Sequence, residues 1–202
     1  MRLSLAGLFL VKAIGLFLAG LGLWYVLGDG FAWVGGQAVR LAVALFFPAW
    51  AEGVEIHGAT LTLLTHLPAP AMAGVPEGQV ALLSPEVEFL KYGYGVPLLA
   101  ALLLASGAHR ALAKIALGWL ALLPFQAWGV CFDWLKILAI EAGLGEFSPL
   151  GRELIALGYQ FGYLLLPSLV PILLWAMLDK RFITTFMVEA ALDGATRSAT
   201  KD

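Results

Sequence analysis

From Lys91 to Lys136 the chain reads KYGYGVPLLAALLLASGAHRALAKIALGWLALLPFQAWGVCFDWLK, two apolar runs closed by a short basic bend. No residue between Lys91 and His109 is charged, and none from Ile115 to Phe132. Such runs suit a hydrocarbon layer of about 30 Å, which takes roughly 20 helical residues at 1.5 Å each. The first run is a little short. Lys91 and Arg110 make up the difference by snorkelling, because their stems are apolar and only the charged heads need water. The bend, Gly107 to Arg110 with Lys114 just beyond, collects positive charge, and the positive-inside bias assigns it to the cytoplasmic side. The pattern predicts a membrane hairpin, and the remaining segments are placed relative to it.

The composition agrees. Apolar residues make up 61% and charged residues 13%, against roughly 45–50% and 25% in ordinary globular chains. A net charge of −2 leaves no overall basic surface for nucleic acid. Cys131 is the single cysteine, so neither an intramolecular disulfide nor a CxxC metal site can form. The fold class expected is an all-α polytopic membrane protein with about four transmembrane helices and a small β-containing extracytoplasmic region.

In chain order, residues 1–30 hold the first span as a signal anchor, with Arg2 and Lys12 near its start and Trp24-Tyr25 at its far end. A cleaved signal peptide would have a shorter apolar region and an A-x-A-like site. Gly15 and Ala19, four apart, are read either as a small-residue pair for close helix approach or simply as small residues, which are frequent in such helices. Residues 31–50 are apolar but carry Arg40 at their centre, an expensive place for a charge in lipid. They are read as an interfacial or re-entrant amphipathic helix. Residues 51–90 change texture. Residues 53–67 alternate around a His57-Gly58 turn, which predicts a β-hairpin; residues 68–78 are a Pro/Gly loop, and 79–84 read as a third strand. This patch is too small for a core of its own and must lean on the membrane, the Arg40 helix or a partner. Residues 91–181 contain three further spans, the last interrupted by Pro167 and Pro171, which remove helical hydrogen bonds and bend it. Residues 182–202 form a cytoplasmic tail.

Four spans with both termini inside put Arg2, Lys12, Arg110, Lys114, Lys180, Arg181, Arg197 and Lys201 at the cytoplasmic face. Only Arg40, Lys91, Lys136 and Arg152 fall outside, in keeping with the positive-inside bias.

Cys131 is the candidate nucleophile, with Arg152 opening the next span on the same side and His57 and His66 in the β-like region. A thiolate needs such a neighbour. A lone Cys in an apolar helix is more often an inert small hydrophobe. Asp133 and Lys136 are three apart and form an interfacial ion pair. Gln126, Gln160 and Tyr163 are the polar side chains within the spans, read as helix–helix contacts, with a substrate pathway as the rival reading. Trp128, Trp134, Trp175, Tyr92 and Tyr94 fit aromatic belts. No Walker A, H-E-x-x-H, G-x-S-x-G or dinucleotide fingerprint is present. No cofactor and no metal site is expected.

The stretches 91–106, 122–136 and 159–175, together with GATLTLLTHL at 58–67, resemble the exosortase H-associated membrane protein family. The resemblance implies a bacterial inner-membrane protein that accompanies an exosortase, a membrane cysteine transpeptidase acting on sorting tails of exported proteins. Exosortases carry Cys, Arg and His in that order, whereas no His follows Cys131 and Arg152 here, which argues against this chain being the peptidase. The function expected is a non-enzymatic accessory or scaffold subunit in the lipid bilayer, binding an exosortase or its substrate, with strand addition at the β-edge as one mode. The alternatives are a cysteine transpeptidase using Cys131 and a small transporter or channel subunit; self-association is left open. In a Cys131→Ala background, a cysteine placed at His57 should react with an impermeant maleimide in intact spheroplasts. One placed at His109 should react only after lysis, and the reverse pattern would invert the arrangement.

Overall fold

The computed structural model describes residues 5–68, 82–144 and 147–188. Residues 69–78 of the Pro/Gly loop, most of the tail, Arg2 and Glu146 lie outside them. Helices α1 (Leu5–Val26) and α2 (Gly28–Phe46) follow one another with a break at Leu27. A three-stranded sheet comes next, β1 (Ala51–His57), β2 (Thr60–Thr65) and β3 (Glu86–Glu88), antiparallel in the order β1-β2-β3. The short helix α3 (Leu90–Gly93), then α4 (Gly95–Ala105), α5 (Ala111–Lys136), α6 (Pro149–Gln160) and α7 (Leu166–Leu178) complete the named elements. A π-helical turn at Ile137–Glu141 extends α5, and another at Phe161–Leu165 joins α6 to α7.

Among the described residues three helices are long and apolar enough to cross a membrane: Ala6–Val26, Ala111–Glu141 and the continuous Pro149–Leu178. The fourth expected span, Leu90–Ala105, is shorter. It is broken at Tyr94 and covers about 24 Å at 1.5 Å per residue. It is nonetheless central. Gly20 of α1 sits against Pro97, Leu99 is buried against α5 and Gly95 meets the backbone and ring of Pro167 and Pro171. The basic bend closes between α4 and α5 with Gly107 at φ 66° and Arg110 at φ 54°; the latter is the left-handed region that non-glycine residues seldom enter. Pro167 stands two residues past the end of the second π-helical turn, so the wider hydrogen-bond register falls beside the position where proline removes a donor.

The sheet leans on α2 and α5. Ile56, Leu61 and Val87 form one inward row, and Val54 with Leu63 the next, while Glu55-Thr62-Glu86 and His57-Thr60-Glu88 point away. The inward residues share a buried cluster with Ala32, Val39 and Val43 of α2 and Val130 and Trp134 of α5. Small residues permit the contact: a Cβ on Gly35 would enter the Phe89 ring, and one on Gly36 would meet Ile56. The expected strand at 79–84 lies partly outside the described residues. Leu82 makes one bridge to Pro68, and the third strand is instead Glu86–Glu88.

Arg40 finds its partner here. Its Nε donates to the carbonyl of Val54 at 2.9 Å, and Nη1 lies 3.4 Å from Gln37 Oε1. Leu63, opposite Val54, gives its N–H to Pro85 on the other side, so the Val54 carbonyl faces the free edge of β1. An incoming strand at that edge would have to displace the guanidinium. Strand addition at β1 is thus disfavoured at the position where the edge would otherwise be open.

A second buried cluster fills the bend end of the bundle, with Val96, Leu99, Leu103 and Leu122 packed by Phe31, Trp119, Leu174 and Trp175. The aromatic positions split. Trp128 is exposed, but Trp134 and Tyr92 are each 1% exposed and belong to the protein core rather than to a lipid-facing belt.

Gly129 provides the test of this packing, since a Cβ there would collide with the Tyr92 ring. Gly129→Leu should cost about 2–3 kcal/mol, read as a lower melting midpoint in detergent. Gly15→Leu, where a Cβ meets nothing within 4 Å, should leave the midpoint unchanged.

Candidate functional site

At the sheet end of α5 a carboxylate is taken almost entirely out of solvent. Asp133 is 3% exposed. Its Oδ2 accepts from Tyr92 Oη at 2.9 Å and lies 3.4 Å from Lys91 Nζ, while Oδ1 lies 3.4 Å from Lys136 Nζ. Lys136 also reaches Glu141 at 3.0 Å and stands 4.3 Å above the Tyr159 ring. Tyr159 stacks on Tyr163, which meets Tyr92 edge-on. One buried charge therefore ties α3, α5, the first π-helical turn and α6 together. Two lysines and two carboxylates balance, and the phenol supplies a third donor, as a buried charge requires. The sequence explains the position: Lys91 ends one apolar run, and Asp133 and Lys136, three apart, end the next.

A matching node closes the other end. Ser106 Oγ donates to Asp179 Oδ2 at 2.6 Å and Trp175 Nε1 lies 3.4 Å from Ser106 Oγ, with Lys114 Nζ at 3.8 Å from Asp179 Oδ1. Phe9 stacks on Trp175 and leans on Phe182, bringing α1 to the same level. Lys114 and Asp133 are nineteen positions apart on α5, about 28 Å at 1.5 Å per residue. That separation matches a hydrocarbon layer of about 30 Å.

A model of the exosortase H-associated membrane protein family matches residues 3–182. The chain belongs to this family. No curated protein and no solved structure matches it. The family's description is that of a membrane protein associated with an exosortase, and the apolar helices of this member fit a membrane protein.

In this exosortase H-associated protein Cys131 is buried in the cluster formed with α2 and the sheet. Arg152 lies exposed on the first turn of α6, and the exposed His57 and His66 end β1 and follow β2. The structure does not bring these four together. It also keeps Gln126 and Gln160 apart. Gln126 is buried with Oε1 lacking a partner among the described residues, whereas Gln160 is exposed. The polar contact between α5 and α6 is made by Trp128, whose Nε1 donates to the Gly158 carbonyl at 3.1 Å. Among the described residues no group of three or more His, Cys, Asp or Glu is placed to hold a metal.

The Asp133 node has the character of a clamp: both carboxylate oxygens are engaged by donors. Sequence spacing identifies Asp133 with Lys136, because they share a helix. Lys91, Tyr92 and Glu141 come from other segments, and only the folded packing adds them. Asp133→Asn should destabilise the protein by about 3 kcal/mol, since both lysines and the phenol lose a charged acceptor, and Tyr92→Phe by about 1 kcal/mol. Melting in detergent should rank them in that order; equal, negligible effects would remove the clamp.

Proposed function

We propose that this chain is a non-enzymatic accessory subunit of the bacterial inner membrane that holds an exosortase, or the substrate of one, at the outer face. The observation that carries this reading is the family match over residues 3–182. The architecture supports it. The end bearing Arg110, Lys114, Lys180 and Arg181 is assigned to the cytoplasm by its charge, with both termini there, and the sheet stands on the opposite side. In this arrangement α1, α4, α5 and the α6–α7 rod make four crossings, the short α4 being sheltered by its neighbours. Helix α2 serves as the interfacial or re-entrant element, fastened to the sheet through Arg40.

Holding a partner calls for a stiff outer platform, and the Asp133 node with the α2–sheet cluster provides one. Peptidase chemistry at Cys131 finds no support in its surroundings, where the thiol packs among apolar side chains of α2 and β1. A buried cysteine of this sort behaves as a small hydrophobe.

Two experiments test the reading. A tagged copy, solubilised in mild detergent from cells that co-express exosortase H, should bring the exosortase with it; failure of the native pair to co-purify or cross-link would discard the accessory role. Cys131→Ala should leave processing of the sorted protein within about twofold of the native level. Complete loss at normal abundance would instead establish the cysteine as a nucleophile.

A further inference from the structure

The chain does not run straight out of α7. Asp179 ends that helix, giving its N–H to the Trp175 carbonyl, and sits at φ −125°, ψ 55°, outside the helical region. Its own carbonyl accepts from the N–H of Phe182 at 3.1 Å and of Ile183 at 3.4 Å, which opens a second helix over residues 180–188, as far as the chain is described. The axis changes at this point. Trp175 and Phe182 are seven positions apart, about 10.5 Å along a straight helix, yet their ring centroids are 5.8 Å apart. Phe9 of α1 packs on both rings, at 5.3 and 4.7 Å, and so holds the first turn of the new helix against the bundle.

The second helix is cleanly divided. At about 100° per residue, Phe182, Ile183, Phe186 and Met187 fall within an arc of about 140°, and Lys180, Arg181, Thr184 and Thr185 within the opposite one. Val188 alone falls on the other side from its kind. The Thr184 and Thr185 hydroxyls donate to the carbonyls of Lys180 and Arg181, so the two cations are what the polar face shows. Phe182 and Ile183 are half-buried. Phe186 and Met187, one turn farther on, leave the bundle and are 37% and 66% exposed. The apolar arc thus begins on Phe9 of α1, a helix most of whose length faces outward, and runs off the protein at the level where the apolar run of α7 stops.

The charges at this level ask for an anion. Among the described residues Lys180, Arg181 and Arg110 are exposed and have no acidic partner. The same holds for Lys12, exposed one turn along α1 from Phe9. Anionic headgroups surround a bundle on every side at one level, which a single protein partner would not. A helix with cations on one face and Phe and Met on the other, starting at the charged end of a span, has the form of an interfacial element.

We propose that residues 180–188 dock flat on anionic phospholipid of the leaflet at the bend end. Phe186 and Met187 sink among the acyl chains, and Lys180 and Arg181 meet the headgroup phosphates. The docking needs a bilayer and no partner protein, so it stands or falls apart from the accessory role.

The test uses the Cys131→Ala protein with Met187→Cys or Thr184→Cys, one copy per lipid nanodisc, and follows the rate of reaction with a water-soluble maleimide. In discs containing phosphatidylglycerol, Met187→Cys should react about tenfold more slowly than Thr184→Cys. In pure phosphatidylcholine the gap should shrink to about twofold, and Lys180→Gln with Arg181→Gln should shrink it equally in the anionic discs. Met187 is 66% exposed and no second copy is present, so the protection would come from lipid. Similar rates at the two positions in anionic discs would place the helix in water and overturn the proposal. A gap of the same size in both lipids, unmoved by the two glutamines, would overturn the recognition of anionic headgroups.

Discussion

A carboxylate that gives up its water must be repaid in hydrogen bonds and opposite charge, or it will not stay ionised inside a bundle. Asp133 meets that demand with a phenol and two ammonium groups drawn from different segments. Because Lys91 and Tyr92 come from α3 and Lys136 from α5, satisfying the charge fixes how the α3–α4 hairpin arm enters the bundle. Tyr92 in turn lies on Gly129, where only a missing side chain leaves room for its ring. The entry of α4, the close approach of α6 and the placing of the first π-helical turn follow from this one buried charge.

The node at Asp179 does the same work at the bend, and the two together explain how a bundle with a short central helix is held in register. Helix α4 is sheltered by α1, α5 and α7, and its C-terminal end is closed by the N–H groups of Ser106, Gly107 and Ala108 on the carbonyls of Leu102, Leu104 and Leu103, where a lipid-exposed end would leave polar backbone in hydrocarbon. Apolar packing between the nodes is not directional. The polar ends supply the direction.

Beyond the Asp133 level the logic changes from span to platform. The sheet is too small to be stable alone, and it survives by laying its inward row on Gly36 and Val39 of α2 and on Val130 and Trp134 of α5. Arg40 completes the join by taking an edge carbonyl of β1. A charge that looks misplaced within an apolar segment is thus the fastening between helix and sheet. The same end carries the apolar groove between α5 and α6.

What the sequence determined by itself was whatever depends on short-range pattern. Uncharged runs specify apolar helices and the basic bend the turn between α4 and α5; alternation about His57-Gly58 specifies the strands; three-residue spacing pairs Asp133 with Lys136. The tertiary structure decided everything that requires two distant segments to meet. Tyr92 and Trp134 have the composition of belt residues, and only packing shows them in the core. Gln126 and Gln160 are each the kind of amide that joins helices, but rotation about α6 turns Gln160 outward and leaves Trp128 to make the bond. Cys131 and Arg152 fall on the same side of the layer in a linear count, whereas the helix faces send one into the α2 cluster and the other to the surface. Periodicity fixes the face of a single helix but not the rotation of one helix against another, which is set by where glycines let rings in and where a buried charge finds its donors.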